Sequence, residues 1–421
     1  FNQPQLEIIA MKKLLLASVA SLALVAFATG QAVAAESNDG LKLGLGGYHS
    51  VHGAWTSQDD GVGQPGAGVR DFDIFSYGEI NFTAEKTFDN GLTVGYKAVT
   101  PVGAGAATDN FNENFAYFSG YWGRIVAGQD YSPLYYMTMG APVVDAGLDG
   151  IDPDFDFVNI GASVITDGAA VTTTGTGNYN TIGFRTFERT GGDFSDKIAY
   201  YTPRFNGFQA GVSYAPEFNR TNGGVKTAFA PVADNTAGEQ SERMEIAANY
   251  EGSFWNGVGL KVGGGYGHAN LEAPINGTNT NYDDQSAWNA GAHFSYLGWT
   301  FGGGYIFDDN GREFRNAAGT VTADGETDAW NAGVTYDWGP WRAGVSYLNK
   351  QTDVVRTSGN TVASEDEFER WVVAGAYKVA PGVDLGATLQ FHDYSTAANT
   401  TVNAAGNNNA TVFTVGTTVN F

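Results

Sequence analysis

Downstream of residue 35 the chain alternates apolar and polar side chains one for one, stretch after stretch. No apolar run there is long enough for a membrane-crossing helix. Trp341, Ala343, Val345 and Tyr347 are interleaved with Arg342, Gly344 and Ser346. Val258, Leu260, Val262 and Tyr266 are interleaved with Lys261, Gly263, Gly265 and Gly267. Phe413, Val415, Thr417, Val419 and Phe421 are interleaved with Thr414, Gly416, Thr418 and Asn420. Successive side chains of a strand point to opposite faces, so each stretch has one apolar face and one face of glycine, polar or charged groups. A sheet built this way needs a different medium on each side.

A soluble sandwich would put the apolar face inward; three features favour lipid outside instead. Aromatics collect beside tight turns, at Tyr121-Trp122, Phe254-Trp255, Tyr296 with Trp299, and Trp338 with Trp341, as a membrane-interface girdle would. Short turns alternate with long loops. Many strands reach about ten residues, the length a tilted strand needs to cross a bilayer. The alternation predicts strands near 41–56, 70–87, 91–102, 113–120, 123–130, 196–204, 207–216, 242–252, 257–270, 284–297, 299–308, 326–338, 340–351, 367–379, 382–394 and 410–421. The short connections include Phe88-Asp-Asn-Gly91, Phe205-Asn-Gly207 and Ala380-Pro-Gly382, which is hairpin chemistry. The expected fold is all-β: a transmembrane antiparallel up-and-down barrel of about sixteen strands, wide enough to hold water.

The rest of the chain fits an exported protein. Met11-Lys12-Lys13, the apolar run Leu14 to Phe27 and the small-residue site ending at Ala34 are expected to form a signal peptide over 11–34, with residues 1–10 an upstream extension and the barrel over 35–421. With no cysteine, there is no disulfide framework. Formal charge is −23, so no electrostatic footprint for nucleic acid exists and no nucleic-acid partner is expected. The 58 glycines would suit disorder, but 14% aromatic residues argue against it.

Three stretches resemble the trimeric, sixteen-stranded general porins of Gram-negative bacteria, most closely the alphaproteobacterial kind. Arg124-Ile-Val-Ala-Gly-Gln-Asp-Tyr-Ser-Pro133 is similar to that family's fifth strand entering its third loop. Lys197-Ile-Ala-Tyr-Tyr-Thr-Pro-Arg-Phe-Asn-Gly-Phe-Gln-Ala-Gly-Val-Ser-Tyr214 is similar to the hairpin after that loop. Terminal Phe421, on an alternating strand, resembles the signal read by the outer-membrane assembly machinery. The resemblance implies an outer-membrane homotrimer among lipid and lipopolysaccharide. It implies a water-filled channel for small hydrophilic solutes and ions, with a long third loop, 130–195, folded into the lumen.

That loop carries the candidate chemistry. Between Arg124 and Arg185 there is no Lys or Arg, while Asp130, Asp145, Asp149, Asp152, Asp154, Asp156 and Asp167 all occur. Carboxylates facing a narrow neck attract cations, so Asp145, Asp149, Asp152, Asp154 and Asp156 are the expected acidic constriction and cation preference the expected outcome. Parity puts Lys42, Lys97, Arg124, Lys261 and Arg342 on the lumen face as an opposing basic wall, with Lys97 the candidate for mid-height. Asp152, Asp154 and Asp156 alternate in a way that could hold Ca²⁺, but the glycine and terminal Glu of a calcium loop are missing, and no cofactor or resident metal is expected. His49 and His52, three apart on a strand, face opposite sides and cannot share a metal. No nucleophile elbow or phosphate loop is present, so catalysis is not expected. A substrate-specific channel is the main rival reading. A barrel enzyme or adhesive surface protein is the remoter one. The glycine triplets Gly263–Gly265 and Gly302–Gly304 read as smooth wall where large neighbours need room.

Overall fold

The computed structural model describes residues 35–36, 40–59, 70–103, 111–145, 147–148, 157–160, 177–178, 195–217, 240–254, 257–273, 280–309, 311–315, 321–355, 363–396 and 408–421. The expected leader, 1–34, lies outside them. Sixteen antiparallel strands build the wall: β1 (Lys42–Gln58), β2 (Phe72–Thr87), β3 (Thr93–Gly103), β4 (Glu113–Gly120), β5 (Gly123–Gln129), β6 (Asp196–Tyr201), β7 (Phe208–Glu217), β8 (Gln240–Ser253), β9 (Gly259–Leu271), β10 (Gln285–Tyr296), β11 (Trp299–Asp308), β12 (Thr327–Trp338), β13 (Trp341–Val355), β14 (Ala363–Ala380), β15 (Val383–Thr396) and β16 (Asn408–Asn420). Each pairs with the next. β16 returns to β1 in register from Tyr48↔Asn420 to Gln58↔Ala410. The last residue completes the seam: Gly47 N donates to Phe421 O at 2.9 Å and Phe421 N to Gly47 O at 3.0 Å. Closure leaves the sheet without an edge, which a lipid-embedded sheet requires.

The alternation partitions the two faces. Leu45, Ile246, Phe301 and Phe413 stand about half exposed on the outside, while their neighbours in sequence turn inward. Rings form two girdles on the outer face. At the short-turn end, Trp299–Tyr336, Tyr336–Trp338, Trp338–Trp341 and Trp341–Tyr377 make successive contacts with centroids 4.5–6.4 Å apart. At the long-loop end, Trp330–Tyr347 and Tyr347–Trp371 do the same at 4.9 and 4.7 Å. His49 is exposed on the outside and His52 is buried on the lumen side.

Two hairpins turn on consecutive left-handed residues, Asn206 (φ 47°) with Gly207 (φ 89°) and Leu297 (φ 49°) with Gly298 (φ 86°). This geometry matches the twist of the strands it joins. The long connections add a three-stranded sheet of Thr280–Tyr282, Arg312–Arg315 and Val321–Asp324, which the alternation did not predict.

Candidate channel constriction

β5 and β6 pair directly, from Arg124↔Tyr201 to Gln129↔Asp196, so residues 130–195 leave and re-enter the wall at one point. A buried cluster ties down the exit. Tyr136 donates to Asp130 Oδ1 at 2.7 Å, and Lys197 donates to the backbone oxygens of Asp130 and Ser195. Burial raises the Asp130 carboxyl above the usual range, and the charge of Glu113 adds to this, while the Tyr136 hydrogen bond works the other way. A single turn, α1 (Pro133–Tyr136), follows. Its start is set by Pro133 and by Ser132, whose side chain accepts from Tyr135 N at 3.2 Å. Tyr131 stacks on Tyr135 with centroids 4.0 Å apart.

From α1 the loop runs around the inner wall in strand order. Leu134 N points to Glu245 Oε2 of β8 at 3.4 Å. Asn289 of β10 donates to Thr138 Oγ1 at 2.7 Å. His293 of β10 meets Gly140 O at 2.5 Å, and Ala141 N donates to Asn331 Oδ1 of β12 at 2.8 Å. Gln390 of β15 donates to Leu148 O at 3.1 Å, and Thr56 of β1 to Phe157 O at 3.0 Å. Leu148, Phe157 and Val158 are buried against wall residues of β1, β13, β14, β15 and β16.

A cavity of about 660 Å³ lies beside the loop. Its lining brings together Glu79 of β2, Glu113 of β4, Asp145 of the loop, Asp337 of β12 and Asp384 of β15 with Arg342 of β13 and Lys378 of β14. Tyr48, Tyr131 and Tyr135 supply ring surface. Asp145 is the one member of the expected acidic constriction within the described residues. It accepts from Gly147 N at 3.0 Å. Burial raises its carboxyl, the Gly147 hydrogen bond lowers it, and the charge of Asp384 raises it further. Asp149, Asp152, Asp154 and Asp156 lie outside the described residues, and with them the calcium expectation.

The basic residues of the wall sit differently from a free strip. Lys97 is buried against Glu113 at 2.6 Å, Lys261 meets Glu251 at 2.8 Å, and Arg342 meets Asp337 at 2.6 Å. Arg124 lies over the Tyr117 ring at 4.0 Å. Lys42 opens β1 opposite Glu85, at the short-turn end. The cause is the same parity that turned the cations inward. It also turns wall acids inward on the same or adjacent strands, so much of the positive charge is offset at its source. The acids Glu79, Glu113, Asp337 and Asp384 escape a search confined to the loop. Their signal is alternation: each follows or precedes a residue of the outer face.

A Gram-negative porin family profile matches residues 20–397. Among solved structures, the fold is similar to the anion-selective porin from Comamonas acidovorans, at 16% identity and TM-score 0.58, over 90% of this chain and 100% of that one. It is similar to the outer-membrane expressed OmpT of Vibrio cholerae, at 12% identity and TM-score 0.54, over 91% and 99%. A trimer form of in-vitro folded OmpT aligns at 13% identity and TM-score 0.54, over 90% and 99%. An uncharacterized protein of Rickettsia bellii (strain RML369-C) is 24% identical over 253 residues, 57% of this chain and 56% of that relative's length. A closed sixteen-stranded wall and a family match over most of its length lead to one conclusion: the chain belongs to the Gram-negative porin family, as a multi-pass β-barrel of the outer membrane.

Proposed function

We propose that this barrel is a passive channel for small hydrophilic solutes and ions, that it prefers cations, that it performs no catalysis and that it works as a homotrimer. The observation that carries the preference is the lining: five carboxylates, at Glu79, Glu113, Asp145, Asp337 and Asp384, against the two cations Arg342 and Lys378. Within a water-filled neck such an excess raises local cation density and lowers that of anions. Lys97 meets Glu113 and Arg342 meets Asp337 at close range, and carboxylates still outnumber cations in the lining. Selectivity follows the lining and not the fold, so the anion-selective porin from Comamonas acidovorans, at 16% identity, carries no weight on sign. The trimer rests on the family and on the trimer form of OmpT. Outer-membrane lipid and lipopolysaccharide suit the apolar outer face, and the assembly machinery suits Phe421.

Passage needs no moving part. A hydrated solute that fits beside the loop exchanges some of its water for carboxylates and tyrosine hydroxyls and leaves again, since no described group encloses it. The test is a single-channel recording of the purified protein in a planar bilayer under a KCl gradient. A reversal potential on the cation side is expected. An anion-side potential overturns the preference, and absence of conductance overturns the channel.

A further inference from the structure

Gly263, Gly291 and Gly304 stand side by side on three adjacent strands: the register pairs Gly263 with Gly291, and Gly291 with Gly304. All three face the lumen, because Val262, Trp288, Phe294 and Phe301, of opposite parity, are exposed on the outside. The constriction loop lies directly on them. A Cβ would sit 2.0 Å from Met137 O at Gly263, 2.0 Å from Met139 O at Gly291 and 2.1 Å from Met139 O at Gly304. We propose that this glycine row is the seat that fixes how far the loop stands from the wall, and so sets the bore and the solute size limit of the channel. The inference deepens the channel reading above and rests on it for its functional consequence.

The seat is held from both sides. Asn331, opposite Gly304, takes the hydrogen bond from Ala141 N. Asn289, opposite Gly265, donates to Thr138 Oγ1. Between these anchors each glycine turns a Cα hydrogen toward a loop carbonyl, a weak attractive contact. Ordinary contact for a Cβ begins at 3.4 Å, so any side chain in the row requires a retreat of about 1.4 Å. The obstructing atoms are backbone oxygens, so no rotamer change relieves the clash. The wall is hydrogen-bonded on both sides of each strand, so the loop yields and moves into the lumen. Gly264, Gly303 and Gly375 stand apart from the loop. Gly264 and Gly303 face outward, where a Cβ would meet the wall's own carbonyls of Asn289 and Asn331 at 2.4 Å. At Gly375 a Cβ meets nothing nearer than Arg342 O at 4.0 Å.

The experiment compares Gly291→Ala, Gly304→Ala and the double variant with Gly375→Ala. It reads single-channel conductance in planar bilayers and the size limit for neutral sugars in liposome swelling. Conductance and size limit are expected to fall in each single variant and further in the double, and to stay unchanged in Gly375→Ala. A folded double variant with wild-type conductance and size limit overturns the proposal. Asn331→Ala covers the case of misfolding, since it removes an anchor and adds no volume: more frequent closures are expected, and a steady wild-type trace counts against the seat. Hydrogen exchange at the Ala141 amide separates the two readings. Faster exchange in Gly304→Ala supports the seat even if the wild type conducts nothing, which would sink only the channel. Unchanged exchange sinks the seat.

Discussion

Asp384 offers the sharpest test of the proposal that the lining sets selectivity. It stands on β15, lines the passage, and is close enough to Asp145 for its charge to raise that carboxyl. Consider Asp384→Asn, which keeps the volume and removes one charge. A permeating ion ~6 Å from the carboxylate feels ~0.7 kcal/mol in water. With a Debye length of ~10 Å at 0.1 M salt about half survives, ~0.4 kcal/mol, or roughly a factor of two in local ion density. Cations lose that factor and anions gain it, so the permeability ratio should fall about fourfold at 0.1 M. At 1 M the screening length is ~3 Å and the same change shrinks to about 1.4-fold. The assay is the reversal potential of wild type and variant under KCl gradients at both mean concentrations. An unmoved potential at 0.1 M refutes the reasoning, because it would mean that ions pass out of reach of the described lining. A shift that persists undiminished at 1 M refutes the screening argument and points to a rearranged loop.

Three further outcomes are expected. Burial raises the Asp130 carboxyl, so the folded state holds its proton more tightly than the unfolded chain does. Its contribution is therefore full below the ordinary carboxylate value and lost as pH rises through the raised one. Asp130→Asn should gain stability over wild type at pH 8 and lose that advantage by about pH 4 in thermal melts; a constant difference would rule this out. Arg243 and Glu245 are joined at 2.7 Å with both side chains almost fully buried, so Glu245→Gln should lower unfolding stability by ~3–5 kcal/mol in urea titrations. A loss below ~1 kcal/mol would show the pair to be solvated. Phe421→Asp places a charge on the outer face at the seam with Gly47, and should reduce the heat-resistant folded species recovered from outer membranes; normal recovery contradicts it.

The barrel was legible because the lipid forces it to be. Every strand must cross the bilayer with one apolar face, so the predicted 257–270 and 299–308 lie within two residues of β9 and β11. Agreement loosens where that constraint ends. β14 starts at Ala363 instead of 367, since the sequence Ser364-Glu365-Asp366-Glu367 shows no apolar–polar alternation while its backbone still pairs with β13. The small sheet between long connections went unpredicted for the same reason. Parity turned Lys97, Arg124, Lys261 and Arg342 inward, but parity is a property of one strand. Their partners Glu113, Glu251 and Asp337 are fixed by register between strands or by a shared turn, which alternation does not encode. The glycine triplets were read as room for a large neighbour. That neighbour is a stretch of loop backbone more than a hundred residues earlier, and no periodicity in either segment announces it.

The path of the loop also orders events in time. Thr138 finds Asn289 across 151 residues of sequence, Ala141 finds Asn331 across 190, and Leu148 finds Gln390 across 242. Contacts that distant carry the largest closure entropy and form only when the later partner is in place. The loop thus comes early in the chain and is held by strands that come late. The strands that close the cylinder against β1 therefore come from the same late part of the chain that holds the loop in place.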